Sequence, residues 1–203
     1  MMLKKKPFNS HVANVKDSAV ELCGEDDAET PLANLVRIGF KAASEGVKSA
    51  VAGAFAAARN WGAVAIGFGA SAGKAGVAVG HSDDNGEGEP LRDTAYAGDY
   101  AVAIGTARAE GARSVSIGQD SKVTPDYAIA IGAGKTDKSN RCAAQADIAI
   151  GQEAHTTGTS PGHVAIGYQA AASDAKMTVI GSCSDPAKIY FGDKSLAEII
   201  AAV

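Results

Sequence analysis

Large side chains are scarce in this 203-residue chain. Leu, Phe, Trp and Met together fill only 15 positions, whereas a globular domain of this length fills its core with Leu and aromatics. No wide core can be built from that supply, which excludes a TIM barrel, a Rossmann-type enzyme and a Leu-rich bundle. Long apolar runs are missing too. The longest, Ala50 to Ala58, is interrupted by Gly53 and closed by Arg59, far short of the roughly 20 residues that span a bilayer. Cysteine is limited to Cys23, Cys142 and Cys183. They are odd in number, far apart and without CxxC spacing, which points to unpaired thiols in a reduced compartment and to no metal site. Cations are not in excess, with 19 Lys and Arg against 23 Asp and Glu and a net charge of −4. No general basic field invites nucleic acid. Lys4, Lys5 and Lys6 resemble the opening of a signal peptide, but Pro7 to Asn14 form no apolar segment behind them, so no export address is read.

What the chain has instead is small residues in order. It holds 42 Ala and 24 Gly, and one four-residue motif keeps returning. Val64-Ala65-Ile66-Gly67, Val77-Ala78-Val79-Gly80, Val102-Ala103-Ile104-Gly105, Val115-Ser116-Ile117-Gly118, Ile129-Ala130-Ile131-Gly132, Ile148-Ala149-Ile150-Gly151 and Val164-Ala165-Ile166-Gly167 are copies of it. Weaker copies end at Gly39, Gly53, Gly181 and Gly192. A period near 14 runs through them, and such self-similarity is the signature of a repeat architecture. Two long intervals, 25 residues from Gly80 to Gly105 and 19 from Gly132 to Gly151, mark insertions.

Each repeat reads as two short strands. Apolar positions recur every second residue rather than every 3.6, and Gly interrupts every segment, so a helical reading fails. Side chains alternate faces along a strand. The first strand therefore has a bulky face, Ile66 with Val64 for example, and a small face, Ala65. After the corner glycine, small residues alternate again, as at Ala56 and Ala58 or Ala170 and Ala172. After Gly105 that alternation arrives one residue early, which places a deletion just there. Stacked coils of this kind make a flattened parallel β-solenoid. The hexapeptide helix of acyltransferases, with its 18-residue coil in steps of six, does not match.

Val-Ala-Ile-Gly followed by x-x-Ala-x-Ala resembles the YadA-like head repeat of trimeric autotransporter adhesins, over roughly residues 35 to 192. The resemblance implies a left-handed parallel β-roll in which three chains pack around a threefold axis. On that basis we expect Val64, Ile66, Val102, Ile104, Ile117, Ile129, Ile131, Ile148, Ile150 and Ile166 to fill each chain's own slit. We expect Ala65, Ala103, Ser116, Ala130, Ala149 and Ala165, the small face, to let three backbones meet.

Three segments stand outside the period. Residues 1–34 are polar, mixed in charge and aperiodic, and read as an attachment arm carrying Lys4, Lys5, Lys6 and Phe8. The insertions near 81–97 and 133–146 read as loops. The first holds Asp83, Asp84, Glu87 and Glu89 without EF-hand spacing; the second is basic, with Lys135, Lys138 and Arg141. Residues 193–203 carry a capping-box pattern at Ser195 to Glu198 and an apolar stripe of Leu196, Ile199, Ile200 and Val203, which predicts a short helix closing the roll. Gly132-Ala133-Gly134-Lys135-Thr136 mimics a phosphate loop, but Ile129 stands where the motif needs glycine. His11, His81, His155 and His163 find no recurring carboxylate or Ser partner at useful spacing. No enzyme, cofactor or metal follows from these residues.

The resemblance also extends to phage and prophage fibres, which assemble without export. A short chain opening on Met1 without a signal fits that setting. The expected function is a structural protein of a bacteriophage particle: a head fibre, capsid decoration or tail-fibre component. It would assemble in the host cytoplasm as a homotrimer, held to a capsid or other virion protein by its arm. A host-surface receptor is a further expected partner; nucleic acid and membrane insertion are not. The alternative is the binding head of a bacterial trimeric adhesin at the cell surface.

Overall fold

The computed structural model describes residues 18–23, 35–46, 48–81, 95–134, 140–173, 178–181, 190–191 and 194–195. Each repeat contributes a three-residue strand before its glycine and a two-residue strand after it, as in Val64–Ile66 and Ser71–Ala72. The first kind, with Ser18–Cys23 added at one edge, make an eleven-stranded front sheet, and the second kind a nine-stranded back sheet. Successive coils pair in parallel and in register, Val102 with Val115 and Ile104 with Ile117, Arg108 with Lys122 and Ala109 with Val123. The protein is thus an all-β parallel solenoid of about nine coils. At about 4.8 Å per strand spacing, the coils stack to roughly 43 Å.

The slit between the sheets is lined by small side chains, and here the structure reverses the expected faces. Ala65, Ala103, Ser116, Ala130, Ala149 and Ala165 have no exposed surface. Opposite them lie Ala58, Ala72, Ala97, Ala109 and Ala172, equally sealed. These small residues, and not the Ile/Val set, fill the chain's own interior. Val64, Ile66, Val102, Ile104, Ile117, Ile129, Ile131, Ile148, Ile150 and Ile166 stand on the outer side of the front sheet, half-buried or exposed. Ile66 is 44% exposed and Ile104 40%. The reason is width. Two walls whose facing residues are alanines approach within a methyl–methyl contact, and a whole column of isoleucines would push them apart. Val51 and Val123 are the largest apolar side chains sealed inside.

The corners make that approach possible. Gly118 has φ +123°, and a Cβ built on it would sit 1.8 Å from the carbonyl oxygen of Gly132 in the next coil. Only glycine allows the backbones this close. Two residues beyond most corner glycines the chain turns through the left-handed region with ordinary residues, among them Phe55, Asp120, Glu153 and Gln169. After Gly105 no such residue occurs, since Thr106 leads straight to buried Ala107. That is the one-residue deletion read from the sequence.

The non-repeat segments also differ from expectation. Ser18–Cys23 lies within the expected arm yet forms the first strand of the front sheet, antiparallel to Leu35–Phe40 with Val20 opposite Ile38 and Leu22 opposite Val36. It covers an edge that would otherwise expose unpaired backbone groups. Lys4, Lys5, Lys6 and Phe8 lie outside the described residues. The insertions are narrower than the ranges read from the sequence, because Tyr96–Ala97 and Arg141–Cys142 are back strands of regular coils. At the other end, Lys194–Ser195 pairs antiparallel with Tyr190–Phe191, so the expected helix does not start at 193. Its remainder, 196–203, lies outside the described residues.

Filling the slit should be disruptive. Ala103→Leu is expected to lower stability by about 1–3 kcal/mol or prevent folding, and Gly118→Ala to be comparably damaging through strain and backbone clash. Ala171→Leu, on the outer side of the back sheet, should be nearly neutral. Thermal unfolding followed by circular dichroism tests all three; a tolerated Ala103→Leu contradicts the assignment of the interior.

Candidate interaction surfaces

The outer side of the front sheet carries two apolar columns. One is built from Val64, Val77, Val102 and their equivalents, the other from Ile66, Val79, Ile104 and theirs, each residue directly above its counterpart in the neighbouring coil. The columns run about 43 Å along the sheet and lie about 7 Å apart, so with their own width they cover roughly 400 Å². A contiguous apolar patch of that size on a protein surface marks a contact site.

The back sheet presents a different column. Tyr96, Arg108, Lys122, Arg141 and His155 occupy equivalent outward positions in five consecutive coils, paired in register. Ala43, Ala57 and Ser71 precede them and Ala171 follows. Glu110 receives the Arg108 guanidinium at 2.9 Å and lies 3.7 Å from the Lys122 ammonium. The Arg108 guanidinium also lies over the Tyr96 ring, at 5.5 Å. A third strip follows the corner before each front strand. There Arg113 lies between Tyr100 and Tyr127, 5.2 and 5.5 Å from the ring centres, and donates to the Tyr127 hydroxyl at 3.1 Å.

Inside the upper coils the alanine pattern gives way to a polar cluster. Asp147 is sealed, with one carboxylate oxygen accepting from the His163 backbone N–H and from its Nδ1–H, both at 2.9 Å. The other accepts from the Ala144 N–H and the Thr156 hydroxyl. Burial pushes the carboxyl pKa up, but these four donors outweigh it and hold it below the ordinary value. His163 thus has its carboxylate partner one coil away, 16 residues back, a spacing that only the coil length makes meaningful. The arrangement is not a triad. The Thr156 proton is committed to Asp147, and among the described residues the buried His163 Nε2 has no hydrogen-bond partner. Gly158 lies against the ring: a Cβ there would be 2.4 Å from Nε2. Asn140 forms a second bridge, accepting from Ser121 Oγ at 3.1 Å and donating to the Gly151 carbonyl at 2.7 Å.

Cys142 is a free buried thiol, its pKa pushed up to about 12 by burial and then by the Asp147 charge. It stays protonated, donates to the Ile129 carbonyl at 3.1 Å, and acts as a small hydrophobe. The side chains of Cys23 and Cys183, and the acidic stretch 82–94, lie outside the described residues. Among the described residues no group of three His, Cys, Asp or Glu is placed to hold a metal, and no helix is long and apolar enough to cross a membrane.

The Asp147 contacts give a pH-dependent prediction. A carboxyl whose folded pKa is depressed stabilises the fold above its unfolded pKa, near 3.8, and loses that contribution as pH falls through the folded value. Asp147→Asn should cost about 1–3 kcal/mol at pH 7 by stranding buried donors, and the gap to wild type should shrink below about pH 4. Urea unfolding at pH 7 and pH 3 measures both; a pH-independent gap contradicts the charge argument.

Comparison with curated proteins finds no match. The family model of the YadA head domain repeat matches residues 109–134 in two copies. These copies run from the back strand at Arg108–Ala109 through the front strands Val115–Ile117 and Ile129–Ile131, so two coils near the middle of the roll carry the YadA head repeat.

Proposed function

We propose that this chain is the head of a trimeric adhesin-like protein displayed at the bacterial cell surface, with three rolls packed through their front sheets. The observation that carries the reading is the double Val/Ile column. These side chains were free to face inward only if the slit were wider, and outside they need a cover. A second copy of the same chain offers columns with the same coil spacing, so every Ile meets an apolar partner along the full length. YadA head domains are trimeric in general, and threefold packing would give each roll two neighbours, one for each column. In this arrangement trimer packing belongs to Ile104, Ile131, Ile150 and their column mates, not to Ala103, Ala130 and Ala149.

The virion role expected from the sequence has less support. It was read from the likeness to phage fibres and from the lack of an export address, with residues 1–34 as its attachment; Lys4, Lys5, Lys6 and Phe8 lie outside the described residues, and Ser18–Cys23 of that segment belongs to the front sheet. The repeat match favours the adhesin head. A rigid, narrow rod of stacked coils suits display of contact surfaces away from the cell, and no chemistry is assigned to it.

Light scattering on the purified chain should give three times the 20.4 kDa chain mass. Ile104→Lys combined with Ile131→Lys should yield monomers that keep their β spectrum, because those side chains stand on the outer side of the front sheet and not in the slit. A wild-type monomer, or a lysine variant that remains trimeric, contradicts the arrangement.

A further inference from the structure

We infer that the cationic column of the back sheet is a binding site for a linear, sulfated polysaccharide. Lys122 and Arg141 are exposed and paired in register, so two cationic side chains leave the same face from backbones about 4.8 Å apart. Like charges placed directly opposite are unfavourable in a sheet. Glu110 offsets this on the Arg108 side, but Arg141 has no ion pair among the described residues. The repulsion is relieved when an anion bridges the two.

An independent feature sits at the same place. Lys122, Arg141, Thr124, Ala143 and Thr157 line a groove of about 430 Å³ on the back sheet. Cations thus flank a concavity whose rim carries hydroxyls. Guanidinium binds a tetrahedral oxyanion through paired N–H donors, and the threonine hydroxyls suit sugar hydroxyls. Arg108, already oriented by Tyr96 and Glu110, extends the positive line by one coil.

The form of the column selects the polymer. It is one residue wide and follows the roll axis, which matches a single extended chain bearing an anionic group at each coil spacing. The net charge of −4 makes the surroundings unfavourable for a broad polyanion such as duplex DNA. Single-stranded nucleic acid needs aromatic platforms for its bases. The column offers one ring, Tyr96, and the Arg108 guanidinium covers it. The back sheet is the wall opposite the front columns, so the site stays accessible when those columns are covered.

The inference deepens the displayed-head reading and rests on it for access to the polymer, yet the two fail separately: one is read by mass, the other by binding. The test uses the full chain on immobilised heparin, with desulfated heparin and single-stranded DNA of equal charge as comparison ligands. Wild type should bind heparin at about 0.1 M salt, and not its desulfated form. Lys122→Ala with Arg141→Ala should weaken binding roughly tenfold or more and lower the salt slope by about 1.4. Lys122→Arg and the off-column Lys74→Ala should bind as wild type. All variants are first checked for unchanged mass and β spectrum. Absence of binding, undiminished binding by the double variant, or equal affinity for the single-stranded DNA each overturns the inference.

Discussion

The distance between the two sheets governs the rest of this molecule. Each coil folds back on itself so tightly that the facing side chains are methyl or hydroxymethyl groups, with valine the largest apolar exception. This separation needs corner glycines, because the carbonyl of one coil occupies the space where the Cβ of the coil before it would stand. It also dictates composition. A slit repeated over nine coils consumes alanine in quantity and has no use for leucine or phenylalanine, which explains why large residues are so rare in a chain of this length.

A narrow interior is also intolerant of exceptions, and the chain meets this by satisfying polar ones in groups. Where Ser, Asn140, Asp147 and Thr156 replace alanine, they bond to one another and to the corner carbonyls of adjacent coils. Asp147 gathers four donors from two coils and His163 sits over it. These contacts lie beside two of the three places where the repeat lengthens: Asn140 follows the second insertion, and His163 precedes the front strand of the coil with two extra residues between Gly151 and Gly167. Hydrogen bonding therefore holds register where the alanine pattern alone would not specify it. Cys142 belongs to the same wall and is kept neutral by it.

Because the bulky residues are turned out of the slit, both surfaces of the roll acquire a character of their own. The front sheet concentrates branched aliphatics into two continuous columns, a geometry fit for an identical neighbour with the same rise. The back sheet, facing away, varies from coil to coil and assembles a short cationic line from residues that lie 14 to 19 positions apart. Parallel stacking turns a one-dimensional repeat into columns, so one substitution per coil is enough to write a surface.

The sequence by itself determined the period, the strand pairs, the corner glycines and the deletion after Gly105, because a 14-residue repeat with alternation of two leaves little choice of topology. It held the orientation of the faces as well, but in its composition and not its pattern: alternation says that Ile104 and Ala103 point oppositely, and is silent on which points in. Only the packed structure decided that, since inside and outside depend on how closely the opposite wall approaches. The Asp147–His163 pair and the Arg108–Lys122–Arg141 column were illegible for a related reason. Their members become neighbours only when residues 14, 19 and 16 positions apart are laid in register, and insertions of unequal length hide that register until the sheets form.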